Sequence, residues 1–80
     1  MPRYFLHLRD SIDEVLDPEG IILPEEAIAG AALFAARDCI SADVKSGRIN
    51  LHYRIDVHAE DGQIVHTISF SDAIEIISAP

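Results

Sequence analysis

Apolar and polar positions alternate from Pro2 to Arg9, with Tyr4, Leu6 and Leu8 on one side and Arg3, Phe5, His7 and Arg9 on the other. A period of two predicts a strand. Asp17-Pro18-Glu19-Gly20 then reads as a turn: proline sets φ, and glycine is free to take a positive one. Ile21-Ile22-Leu23 can return as a short strand toward the first, while Ser11 to Leu16 are free to pair or to loop. From Pro24 to Gly47 the period changes to that of a helix. Ile28, Ala29, Ala32, Leu33, Ala36, Cys39, Ile40 and Val44 share one broad face. Pro24 suits a first helical position, Glu25 and Glu26 complement the positive end of the dipole, and Lys45 with Gly47 mark the stop.

Alternation resumes from Arg48 to Ala59. Ile49, Leu51, Tyr53, Ile55, Val57 and Ala59 face one way, and Asn50, His52, Arg54, Asp56 and His58 the other. Asp61-Gly62 is a two-residue hairpin signal of the type I′ kind. The register that follows places Ala59 opposite Ile64, Val57 opposite His66, Ile55 opposite Ile68 and Tyr53 opposite Phe70. Both strands then carry their apolar sets on one face. After a local turn at Ser71-Asp72, Ala73 to Ile77 offers a last short extended piece. The expected architecture is a single α+β domain over residues 1–80: an antiparallel sheet of about four strands, in ββαββ order, with one long helix packed on one face.

Charge changes this picture by its distribution. The chain of 80 residues carries a net charge of −8. Asp10, Asp13, Glu14, Asp17, Glu19, Glu25 and Glu26 follow one another with no Lys or Arg among them, so the molecule is polarised rather than uniformly acidic. A single cysteine, Cys39, excludes an internal disulfide and implies no oxidising compartment. MPRYFLHLRD lacks the apolar run of a secretion signal, and no segment approaches the ~20 apolar residues of a membrane span. The expected location is the cytoplasm.

Several of these stretches together resemble a known family. MPRYFLHLRD, DPEGIILP, an Ala-rich helix containing AARD and a hairpin closing on ISFSDAIEI are similar to a family of small bacterial proteins, a domain of unknown function. Its members open on an MPRYFFHLRDG-like stretch, carry D-x-EG-x-x-LP before an Ala-rich helix and end on a PFSDAI-like motif. The likeness spans nearly the whole chain. It implies a small single-domain α+β protein and transfers no catalytic residues. The chain departs from the pattern at Asp10-Ser11, where Asp-Gly is usual, and at Phe34, where a charged residue is usual.

The candidate chemistry is sparse. The acidic arc can be aligned with a calcium loop by placing Gly20 at the loop glycine, which puts Asp17, Glu19 and Glu26 at ligand positions. Val15 then holds the first ligand position, Pro18 stiffens the loop and no helix leads into it, so a solvated acidic loop is the better reading. The histidines do not converge: His52 and His58 lie about 20 Å apart along one strand, His66 faces the other way and Cys39 lies on the helix core face. No metal and no cofactor are expected. There is no phosphate loop, no nucleophile elbow and no Cys–His pair, and the carboxylates sit where burial would not raise a pKa. The chain reads as a non-enzyme.

Two surfaces remain. Asp13, Glu14, Asp17 and Glu19 could meet a basic protein partner. Alternatively, Arg3, Phe5, His7, His52, Arg54 and His58 would gather on the uncovered sheet face and offer an aromatic-and-basic platform for an anionic ligand. The acidic arc would repel a long polyanion, which disfavours nucleic acid. Phe34, on the polar side of the helix near Arg37, Ser41 and Lys45, fits a homodimer contact. A small cytosolic interaction or regulatory domain is the leading reading, with weak nucleic-acid or anionic-ligand binding through the sheet face as the alternative.

Overall fold

A computed structural model of the protein describes residues 2–79. Strand β1 (Arg3–Arg9) is followed by two short strands, β2 (Glu14–Val15) and β3 (Ile21–Ile22). A 3-10 turn at Glu25–Ala27 leads into helix α1 (Ile28–Lys45). Strands β4 (Arg54–Ala59) and β5 (Ile64–Ser69) form a hairpin, and a single helical turn, α2 (Phe70–Ala73), follows. The protein is therefore α+β, with one long helix and an antiparallel sheet. Across the sheet the order is β2-β1-β4-β5, with β3 sharing the outer edge of β1 with β2.

The expected N-terminal return strand exists in two pieces. β2 pairs Val15 with Leu8 and Glu14 with Arg9; β3 pairs Ile22 with Arg3 and Ile21 with Tyr4. Between them, Leu16 to Gly20 leave the ladder, because Pro18 has no N–H to give it and Gly20 turns back with φ 72. The element order is accordingly three strands, helix, two strands and a helical turn, rather than ββαββ.

The helix begins later than its pattern suggests, since the first turn after Pro24 is 3-10. Its end follows the expected chemistry. Gly47 adopts φ 90, its N–H donates to the Val44 carbonyl at 2.9 Å, and the Arg48 N–H reaches the Asp43 carbonyl at 3.3 Å. Those two bonds are a Schellman stop. Ile28, Ala32, Ala36 and Ile40, four residues apart, are buried; Ala29 and Val44, expected on the same face, are exposed. Leu33, Ala35 and Cys39 flank this ridge, partly buried against the core, and Ala32 and Ala36, each 0% exposed, let the helix axis approach the sheet closely. The ridge forms one core with Tyr4, Ile55, Val57, Phe70 and Ala73.

β4 is the centre of the sheet, paired with β1 over six residues and with β5 on its other side. It starts at Arg54, not Arg48. Arg48 to Tyr53 keep the alternating pattern but loop, with the Asn50 side chain accepting the His52 N–H at 2.9 Å. The hairpin also differs at its tip. The Gly62 N–H donates to the Ala59 carbonyl and the Ala59 N–H to the Gln63 carbonyl, both at 2.9 Å, which makes a three-residue loop. A type I′ turn requires positive φ at both central residues; here Gly62 alone has one (φ 88), and the Asp61 side chain instead accepts the Gln63 N–H. His58 therefore meets Ile64, one residue off the expected register. A bulge next to Val57 restores it, so Val57 meets His66 and Ile55 meets Ile68 as the pattern predicts. Phe70 is not a strand residue, yet its N–H still donates to the Tyr53 carbonyl at 2.9 Å. Ile74 to Ala79 form no regular element in place of the expected last strand.

Candidate functional site

The polar face of the sheet, away from the core, is where the chemistry of the chain collects. Register alone places Phe5 beside His58, His7 beside Asp56 and Arg9 beside Arg54, with Thr67 on the far side of Asp56. Among the described residues no second layer of helix or sheet covers this face, yet Asp56 is only 2% exposed. Its neighbours close over it. The Thr67 hydroxyl donates to Oδ1 at 2.9 Å, Arg9 Nη1 donates to Oδ2 at 3.2 Å, and Arg54 Nε lies 3.3 and 3.2 Å from the two oxygens. Burial opposes the charge on this carboxylate, but the Thr67 hydroxyl and the two guanidinium groups outweigh it and hold the carboxyl below its ordinary value.

Arg9 extends the network in two directions. Its Nε meets Glu14 at 3.0 Å, and its Nη1 lies 3.0 Å from His58 Nε2. An arginine can only donate, so His58 Nε2 must accept. The other ring nitrogen, Nδ1, lies 3.1 Å from the Gly62 carbonyl and carries the proton. His58 is thus set as one neutral tautomer, with its ring edge-on to His7 at 4.7 Å. His7 stacks on Phe5 at 6.3 Å.

The acidic arc is stitched to the same face rather than standing apart from it. The Asp17 N–H donates to His7 Nδ1 at 3.0 Å. The Asp17 carboxylate accepts the Leu6 N–H at 3.2 Å, the Gly20 N–H at 3.1 Å and the Glu19 N–H at 3.3 Å. Burial works against its charge, but these backbone donors prevail and depress its pKa. Arg3 Nη1 donates to the Glu19 carbonyl. Asp10 caps its own turn, accepting the N–H groups of Ile12 and Asp13, which lowers its pKa.

The residues expected on an anionic-ligand platform therefore separate. Arg3, Phe5, His7, Arg54 and His58 share the face; His52 does not, because it lies exposed in the loop before β4. Arg54 is already engaged by Asp56, and so is its neighbour Arg9. Of the proposed protein contacts, Asp13 and Glu19 are exposed, Glu14 is tied to Arg9, and Asp17 is an internal keystone of the loop. Phe34 stands 74% exposed on the outer side of α1. Cys39 is half-buried, and burial, then Asp38 and Asp43, push its thiol pKa up. His66 lines a shallow recess with Tyr4, Glu25, Glu26 and Ile28.

Asp56 is the residue that sequence reasoning misses, since alternation shows only that it shares a side with Arg54 and His58. Arg54, two positions earlier and so on the same face, was the available signal. Arg9 could be added only once β1 was known to lie beside β4. Among the described residues no three His, Cys, Asp or Glu side chains are placed to hold a metal ion, and no helix is long and apolar enough to cross a membrane.

Residues 3–71 match the profile of a family described as Domain of unknown function (DUF6894). The chain belongs to that family. The matched span holds every member of the Asp56 network and both halves of the Asp17 loop, and it stops before the irregular segment Ile74 to Ala79. No curated protein and no solved structure matches the chain.

Proposed function

We propose that this DUF6894 domain is a non-catalytic interaction module that associates with a second copy of itself through the free edge of β5. The observation that supports this reading is the asymmetry between the two edges of the sheet. The β1 edge is covered by β2 and β3, whereas β5 has no partner beyond β4 among the described residues. β5 reads Ile-Val-His-Thr-Ile-Ser, with none of the charges or prolines that commonly guard an edge. Because the Phe70 N–H points at Tyr53, alternation along the ladder turns the backbone groups of Ser69 and Thr67 away from β4. A second β5 is self-complementary to this edge about a two-fold axis.

Magnitudes make such a contact weak. A pairing this short forms roughly four main-chain bonds, each worth about 1 kcal/mol net, against an association cost of several kcal/mol. Two copies at −8 also repel, so added salt strengthens the contact, whereas it would weaken one between the acidic arc and a basic partner. The alternative, an anionic ligand on the open face, has to compete with Asp56 and Glu14 for Arg9 and Arg54.

The test is a dilution series of ¹⁵N-labelled protein from about 1 mM. Concentration-dependent shifts confined to β5 amides, larger at higher salt, are expected. They should vanish in Thr67→Pro, which removes an outward N–H, and persist in Phe34→Glu. Shifts centred on Phe34 and lost in Phe34→Glu would transfer the contact to the helix, and amides that ignore concentration would remove self-association altogether.

A further inference from the structure

We infer that the segment from Asp10 to Leu23 is a strap held on the β1 edge by the neutral ring of His7, and that protonation of His7 releases it. The inference does not depend on association through β5.

The strap is fixed to β1 at three places. β2 holds one end at Leu8 and Arg9, and β3 holds the other at Arg3 and Tyr4. Between them the ladder is interrupted, and the outward N–H of Leu6 has no strand to receive it. Asp17 fills that gap twice over: its carboxylate accepts from Leu6 at 3.2 Å, and its own N–H donates to His7 Nδ1 at 3.0 Å. The carboxylate is further committed to the N–H groups of Gly20 and Glu19, so it has little capacity left with which to receive a new donor.

That geometry works with one protonation state. Neutral His7, protonated on Nε2, presents a lone pair at Nδ1 to the Asp17 amide. A proton on Nδ1 turns the acceptor into a donor, and two N–H groups then face each other across 3.0 Å. The groups around the ring are Phe5 and Arg9 on β1, Asp56 and His58 on β4, Glu14 on β2 and Asp17 in the strap itself. Asp17 and Glu14 favour a cation on His7. Burial, together with the Arg9 guanidinium, opposes it and prevails, so the ring titrates below its ordinary value and the strap stays latched at neutral pH. Release would free the middle of the β1 edge and a segment bearing Asp10, Asp13, Glu14, Asp17 and Glu19.

The experiment is an NMR titration of dilute protein from about pH 8 to about pH 5. The ¹⁵N shift of His7 Nδ1 reports the proton. Hydrogen-exchange protection of the Leu6 and Asp17 amides, corrected for intrinsic exchange, reports the strap. Both amides should lose protection as Nδ1 protonates, while the central amides of β4 keep theirs. His7→Gln, whose side-chain carbonyl can accept the Asp17 N–H without titrating, should stay protected throughout; His52→Gln, outside the network, should respond like the unaltered chain. Protection that survives His7 protonation overturns the inference, as does an acid transition that persists in His7→Gln. The titration of the unaltered protein decides the matter even where a variant fails to fold.

Discussion

At the scale of single residues the molecule turns on Asp56. Every buried side-chain polar atom among the described residues has a hydrogen-bond partner, and this carboxylate binds two of the chain's arginines. Removing one member of a buried ion pair strands the others and costs about 3–5 kcal/mol. Arg54 is nearly half exposed and can recover water, which favours the lower figure. Asp56→Ala is therefore expected to lose about 3 kcal/mol in urea unfolding; a change within about 0.5 kcal/mol would show the network to be a solvated surface cluster. The residue types on this face were legible in the sequence, as was their shared side for all but His52, which lies in the loop before β4. What they do to one another was not, because alternation fixes which face a side chain occupies but says nothing of which strand lies alongside.

Elements were most legible where local chemistry and pattern had no competitor. The helix stop at Gly47 and the pairing of Ile55 with Ile68 are of this kind. The errors came where side chains offered the backbone an alternative partner. Asn50 draws the His52 N–H into a turn and shortens β4; Asp61 draws the Gln63 N–H and opens a three-residue loop. Two glycines separate the roles such positions play. At Gly47 a Cβ would meet nothing within 4 Å, so Gly47→Ala should cost only the left-handed backbone penalty of about 1 kcal/mol. At Gly20 the same penalty is joined by close approach, since a Cβ would lie 2.7 Å from the Tyr4 carbonyl oxygen and 2.9 Å from the Phe5 ring. Gly20→Ala is expected to cost about 2–3 kcal/mol and to lift the strap from β1, visible as lost exchange protection at Leu6. Equal losses at the two sites would deny the close packing of the strap.

For the whole molecule, the same groups set how stability depends on pH. The native pKa of His7 is lowered, so the folded state binds its proton less readily than the unfolded chain. Its contribution is complete above the unfolded value of about 6.5 and declines as pH falls below it. Asp17 and Asp56 are also depressed, and their contributions are complete above about 3.9 and decline on further acidification. Unfolding followed against pH should show two descending steps, the upper one absent in His7→Gln; a single step near the carboxylate range would separate His7 from stability. The hairpin carries a different whole-molecule consequence. The residue lost from register at the loop is regained at the bulge, where β5 spends Val65 between the partners of Val57 and His58. A chain lacking Val65 would keep every other cross-strand partner, so the deletion is tolerable to the native fold. It would also straighten the strand, and a straight uncharged border invites open-ended growth into fibrils that the twist of a bulge opposes. Deleting that one extra residue is therefore expected to hasten aggregation while leaving the fold intact, a change that light scattering beside a circular-dichroism spectrum would read.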